Sequence, residues 1–157
     1  MRAVQGSLKT HEDRTLFFDF LQLELGRVGG LSPKIQLYTL PGQAYYEASR
    51  KLLLRGADGV VFVADSSEDH LQGNIQFWRK MLEHLTSLGM NPQTIPVVLQ
   101  CNKQDLPNAV PAASLRTILR ADGRQVFEAV AIRDTGVRET LKAITREVMA
   151  LSQAQLA

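Results

Sequence analysis

A chain of 157 residues has room for one domain and one core, and its 45% apolar and 22% charged residues match a folded globular protein rather than a disordered or fibrous one. A net charge of +2, with no Lys/Arg run and no aromatic-interleaved basic stretch, argues against nucleic acid as a partner. The apolar run Val60 to Ala64 is far short of the roughly 20 residues that cross a bilayer, MRAVQGSLKTHEDR lacks a signal-peptide core, and lone Cys101 suits a reducing compartment, so a cytoplasmic chain without a transmembrane segment is expected.

The first predicted strand is Thr15 to Leu23, TLFFDFLQL, followed by the turn-forming Gly26-Arg27-Val28-Gly29-Gly30. Apolar residues stand on both of its faces, Leu16, Phe18 and Phe20 on one and Phe17, Leu21 and Leu23 on the other. A one-residue slip would still bury large side chains, so register is weakly specified. Ile35 to Leu40 reads as the return strand, antiparallel to the first. After Pro41-Gly42, a helix is predicted over Tyr45 to Arg55, stopping at Gly56.

Three short apolar runs follow: GVVFVA (Gly59 to Ala64), IPVVLQC (Ile95 to Cys101) and VFEAVAI (Val126 to Ile132). They have the character of parallel strands covered on both faces. Leu71, Ile75, Trp78, Leu82 and Leu85, and then Val137, Leu141, Ile144, Val148 and Leu151, step at helical spacing and predict core-facing stripes. The alternation predicts an α/β three-layer sandwich with a mostly parallel sheet, in a single domain over residues 1–157.

Asn102-Lys103-Gln104-Asp105 stands directly after the buried run IPVVLQC, where open α/β sheets bind ligands. A carboxylate at Asp105 can accept hydrogen bonds from the N1–H and 2-amino groups of guanine, donors that adenine does not present together. A wrong base would leave that carboxylate unpaired, which can discriminate by about 10⁴-fold. Asn102 would tie the base to neighbouring loops, and the Lys103 stem would lie along the purine face. An ordinary polar turn capped by Asn and Asp is the other reading of these four residues.

Two more loops occupy strand ends in the order a GTPase requires. Thr39-Leu40-Pro41-Gly42-Gln43 stands where small GTPases carry Asp-x-x-Gly-Gln, and a glutamine there can orient the attacking water. Glu128-Ala129-Val130-Ala131 resembles the loop whose alanine amide meets the guanine carbonyl.

HEDRTLFFDF (His11 to Phe20), YTLPGQAYYEASRKLLLRGADGVVFVADS (Tyr38 to Ser66) and NKQDLP (Asn102 to Pro107) carry a resemblance over essentially the whole chain. They are similar to the MglA-type branch of bacterial small Ras-like GTPases, associated with gliding motility and cell polarity. The resemblance implies a P-loop small-GTPase fold, GTP/GDP and Mg²⁺ as ligands, and polar localisation. It makes Asn102, Lys103, Asp105, Ala131, Gly42 and Thr15 the nucleotide contacts. Thr15 is implied as the switch threonine for Mg²⁺, and Gln43 and Arg14 as the catalytic residues, Arg14 as an arginine finger supplied in cis. A Roadblock-type activator of the MglB kind and polar effector proteins are the implied partners. Threonine at Thr39 is a trait of that branch.

No Gly-x-x-x-x-Gly-Lys-Ser/Thr occurs in the 157 residues. The nearest run, Gly6-Ser7-Leu8-Lys9-Thr10, has Leu8 where the second glycine must stand, and no strand is predicted before it. Against the family, the first strand, the P-loop and the first helix are expected to be missing. The chain would then be an N-terminally truncated GTP hydrolase, active in full-length form. The alternative is a nucleotide-free pseudo-GTPase serving as a protein-interaction module.

Overall fold

A computed structural model describes residues 3–7, 19–24, 26, 32–40 and 47–156. The chain divides into two compact units, Met1–Arg55 and Gly56–Ala157.

In the first unit, β1 (Ala3–Ser7), β2 (Asp19–Glu24) and β3 (Lys34–Thr39) form an antiparallel sheet with β2 in the middle, and α1 (Glu47–Leu54) follows. The expected hairpin partners do pair, with Leu21 opposite Leu37 and Leu23 opposite Ile35. Leu23 is buried. Residues 15–18 of the predicted strand lie outside the described residues, and so does the start of the predicted helix. β1 was not predicted: AVQGS carries a glycine and no alternating pattern, and its strand conformation comes from pairing with β2, Gly6 facing Phe20.

In the second unit, β4 (Val60–Asp65), β5 (Val97–Asn102) and β6 (Val126–Glu128) form a parallel sheet in that order. The helices are α2 (Leu71–Ser87), α3 (Ala112–Ile118) and α4 (Val137–Leu156). Register pairs Val61 with Val98 and Phe62 with Leu99, so consecutive residues address opposite faces. On one face Val98 packs with Ala143 and Ile144 of α4, and Val61, Phe127 and Val148 join them. On the other, the Phe62 and Trp78 rings meet edge to face at 5.1 Å, which places α2 there. These are the three layers expected from the alternating runs.

β5 has a neighbour on each side and a helix on each face, so Val97, Val98, Leu99, Gln100 and Cys101 are all buried. The fully enclosed Leu85, Leu99 and Leu115 each contribute about 1.5–3 kcal/mol. α4 lies so close to the start of β4 that a Cβ at Gly59 would stand 2.6 Å from Val148 Cγ2.

The predicted strand Val126 to Ile132 ends at Glu128, because the chain leaves the sheet at Ala129 and Val130 pairs with Thr135 across a tight loop. The seven-residue α3 went unpredicted, being too short for a 3.6-residue period to register; Pro111 starts it, and Ala112 and Leu115 anchor it. Among the described residues, no helix is long and apolar enough to cross a membrane.

Candidate functional site

In a parallel sheet all strands end on the same side, so the exits of β4, β5 and β6 are neighbours. The register sets Asp65 beside Asn102 and Cys101 beside Glu128. The sequence-predicted residues Asn102, Lys103, Asp105 and Ala131 all lie on this edge of the second unit.

Asn102 is the last residue of β5. Its Oδ1 accepts a hydrogen bond from the Ala131 amide at 2.9 Å, joining the β5 and β6 exits. Lys103 then takes φ +64, a left-handed conformation unusual for a residue with a side chain. That single reversal starts a turn closed by the Leu106 amide on the Lys103 carbonyl at 3.2 Å. The Lys103 Nζ donates to Asp65 Oδ2 at 2.6 Å.

Gln104 lies underneath. Its backbone amide donates to the Ala129 carbonyl at 3.2 Å, and its Nε2 donates to Ser66 Oγ at 2.7 Å and to the Val110 carbonyl at 3.0 Å. Asp105 therefore comes out of the turn with its side chain 24% exposed, and Arg133 Nη2 is 3.7 Å from its Oδ2. A carboxylate at this exposure is open to hydrogen-bond donors from outside the chain.

Asp65 is the carboxylate behind this loop, paired with Lys103 and 3.7 Å from His70 Nδ1. Burial raises its pKa, but the Lys103 hydrogen bond, the Ser67 amide and the charges of Lys103 and His70 outweigh that effect and hold the carboxyl below its ordinary value. It is therefore an anion at neutral pH. Cys101 is pushed up to about 12, first by burial and then by the Glu128 carboxylate, so its thiol stays protonated at neutral pH.

Arg14, Thr15, Gly42 and Gln43 lie outside the described residues. Among the described residues no three His, Cys, Asp or Glu side chains converge as a metal site. The residues that sequence reasoning missed are Asp65, Ser66 and the side chain of Gln104. The available signal was a polar Asp-Ser-Ser run directly after an apolar strand, the pattern already used to find Asn102.

Comparisons with known proteins show the family. The family model described as the Ras family matches residues 1–150. The mutual gliding-motility protein MglA of Myxococcus xanthus (strain DK1622) is 46% identical over 143 residues, covering 91% of this chain and 73% of that protein. The Ras and EF-hand domain-containing protein homolog of Caenorhabditis briggsae is 26% identical over 160 residues, 99% of this chain and 24% of that protein. The Ras-related protein RAB1BV of Beta vulgaris is 26% identical over 151 residues, 94% of this chain and 67% of that protein.

Proposed function

This chain belongs to the Ras family, in its MglA-type branch, and from that premise we propose that it is a guanine-nucleotide-binding switch that hydrolyses GTP, in bacterial cell polarity or gliding motility. The observation that carries the reading is the Asn102–Ala131 tie between two strand exits, which leaves the Asp105 carboxylate accessible at the sheet edge.

In this reading Asp105 accepts from guanine N1–H and the 2-amino group, and the Lys103 stem covers the purine face. Asn102 fixes both loops around the base. Arg14 stabilises charge on the transferring phosphoryl oxygens, Gln43 orients the attacking water, and the Gly42 amide meets the γ-phosphate. Thr15 is the residue assigned to Mg²⁺, an ion that in such sites neutralises charge between the β- and γ-phosphates. Residues 1–157 are taken as a single GTPase-like domain, acting from the cytoplasm and at the cell pole, with an MglB-type Roadblock activator and polar effectors as partners.

Competition of GDP, XDP and ADP against fluorescent mant-GDP tests the base reading, with this chain and with the chain joined to a P-loop segment. GDP should compete best. Equal competition by ADP would overturn the assignment. In the P-loop-bearing form, Gln43→Leu and Arg14→Ala should each slow hydrolysis about tenfold or more with little change in GTP affinity, because they act on the transition state. Parallel losses of binding and turnover would remove their catalytic roles.

A second reading is favoured by one sequence observation, that Gly-x-x-x-x-Gly-Lys-Ser/Thr occurs nowhere in residues 1–157. It makes the chain a pseudo-GTPase that binds proteins through its surface. Micromolar or tighter GTP binding by the 157-residue chain would dismiss it.

A further inference from the structure

The exits of β4 and β5 are joined by three successive contacts. The Ser66 amide donates to the Asn102 carbonyl at 2.9 Å, the Lys103 ammonium to Asp65 at 2.6 Å, and the Gln104 carboxamide to Ser66 Oγ at 2.7 Å. Each residue of the base loop before Asp105 is thus held from behind by Asp65 or Ser66.

The two residues behind the loop are themselves fixed. Asn74, buried on α2, grips the backbone of Asp65 twice: the Asp65 amide donates to its Oδ1 at 3.1 Å, and its Nδ2 donates to the Asp65 carbonyl at 2.7 Å. Asp65 Oδ1 accepts from the Ser67 amide at 3.0 Å, which leaves Oδ2 for Lys103. Ser66 is fully buried, and its carbonyl accepts from the Val110 amide at 2.7 Å. A polar chain therefore runs from α2 through the β4 exit to the base loop, anchored in the packed interior.

The left-handed Lys103 needs such support, since a non-glycine residue held there costs about 1–2 kcal/mol and persists only where its surroundings fix it. Charge-assisted and buried hydrogen bonds on both sides of the reversal supply that constraint.

We propose that Asp65 and Ser66 are positioning residues for guanine specificity, holding Lys103 and Gln104 so that the Asp105 carboxylate meets both guanine donors. The inference rests on the guanine reading above and adds two residues that need not touch the nucleotide. Asp65 sets the Lys103 stem over the purine plane. Ser66, through Gln104, sets the direction from which Asp105 leaves the turn.

The test uses the 157-residue chain and three variants, Asp65→Asn, Ser66→Ala and Gln104→Leu. Binding of GDP and of IDP, which lacks the 2-amino group, is measured by NMR titration at millimolar nucleotide. Two donors meeting one carboxylate demand alignment, so the preference for GDP over IDP should fall about tenfold in each variant. A ligand-free readout accompanies it: the Lys103 ammonium should give a slowly exchanging ¹⁵N–¹H signal in the parent chain, and Asp65→Asn should abolish it. A purely structural role would lower thermal stability and leave the GDP:IDP ratio in the folded fraction unchanged, which would overturn the proposal. If one variant fails to fold, the other two decide. No preference for GDP in the parent chain would defeat the guanine reading itself, and this inference with it. A parent preference that survives in the variants would defeat this inference alone.

Discussion

The loops that leave β5 and β6 share one edge of the parallel sheet, yet they are held by different means. The β5 loop is held by side chains that reach outward: Asn102 to Ala131, Lys103 to Asp65, and Gln104 to Ser66 and Val110. The β6 loop is closed chiefly by its own backbone, with the Arg138 and Thr140 side chains adding one bond each. Val130 and Thr135 exchange hydrogen bonds at 3.0 and 3.3 Å, Asp134 takes φ +55 and Gly136 φ +75, and the Thr140 hydroxyl donates to the Gly136 carbonyl at 2.7 Å. The first loop should therefore respond to polar substitutions that leave the chain's path intact, and the second to any added Cβ where the path is tight.

The sharpest separation of the two is chemical. Asp105→Asn should reverse the base preference from GDP toward XDP, a combined change of about 10⁴-fold, because the 2-oxo group of xanthine accepts where guanine donates. Competition binding reads it, and an unchanged preference would remove Asp105 from base recognition. Stability should barely move, since among the described residues the Asp105 side chain makes only a long contact with the exposed Arg133.

Gly136→Ala is the converse. A Cβ there would overlap the Glu128 carbonyl oxygen and stand 2.9 Å from Ala129 Cα, at a φ that alanine disfavours. A loss of about 3 kcal/mol in urea unfolding is expected. A loss below about 1 kcal/mol would show that the β6 exit relaxes easily and that its backbone is not what fixes it.

Asn102→Ala probes the side-chain bond that joins the loops, beside the backbone bond from Gln104 to Ala129. It should cost about 1–2 kcal/mol and speed hydrogen exchange at the Ala131 amide, which loses its acceptor. Unchanged exchange would mean that the β6 loop holds its shape without the tie.

A smaller effect depends on pH. The folded pKa of Asp65 lies below its unfolded value, so its contribution is present above about pH 4 and is lost as pH falls through the folded value. The stability difference between the parent and Asp65→Asn, about 1 kcal/mol at pH 7 given the half-exposed Lys103, should shrink toward zero in that acid range. A difference constant down to pH 2 would mean that the ionised carboxylate contributes nothing specific.

The smallest response is expected from Cys101. Fully buried, with its thiol pushed up to about 12 by that burial, it should not react with a thiol reagent at pH 8 until the chain unfolds, when one thiol appears. Rapid labelling of the native chain would show that β5 opens locally.

Much of the second unit was legible because its cues are local. Val97, Val98 and Leu99 are a continuous apolar run since β5 is covered on both faces, and the stripes of α2 and α4 repeat long enough to show a helical period. The base loop was legible for a related reason: Asn102, Lys103 and Asp105 are consecutive, and their place after a buried strand identifies the ligand edge. Ala131 was found by the same order of elements, although the strand before it proved shorter than predicted.

What the sequence by itself determined was therefore the alternation of elements, the edge where chemistry gathers and the residue types for guanine recognition. Only the tertiary structure decided the rest. β1 became a strand because β2 offered it backbone partners. β2 settled with Leu21 opposite Leu37, so that Leu21 and Leu23 share one face while Gln22 and Glu24 take the other, because register is a property of a pair of strands. Likewise Asp65 and Lys103 are 38 positions apart, and nothing in either residue states the pairing. It exists because parallel strands bring their ends together, and the low-polarity interior beneath them makes each buried polar group find a partner.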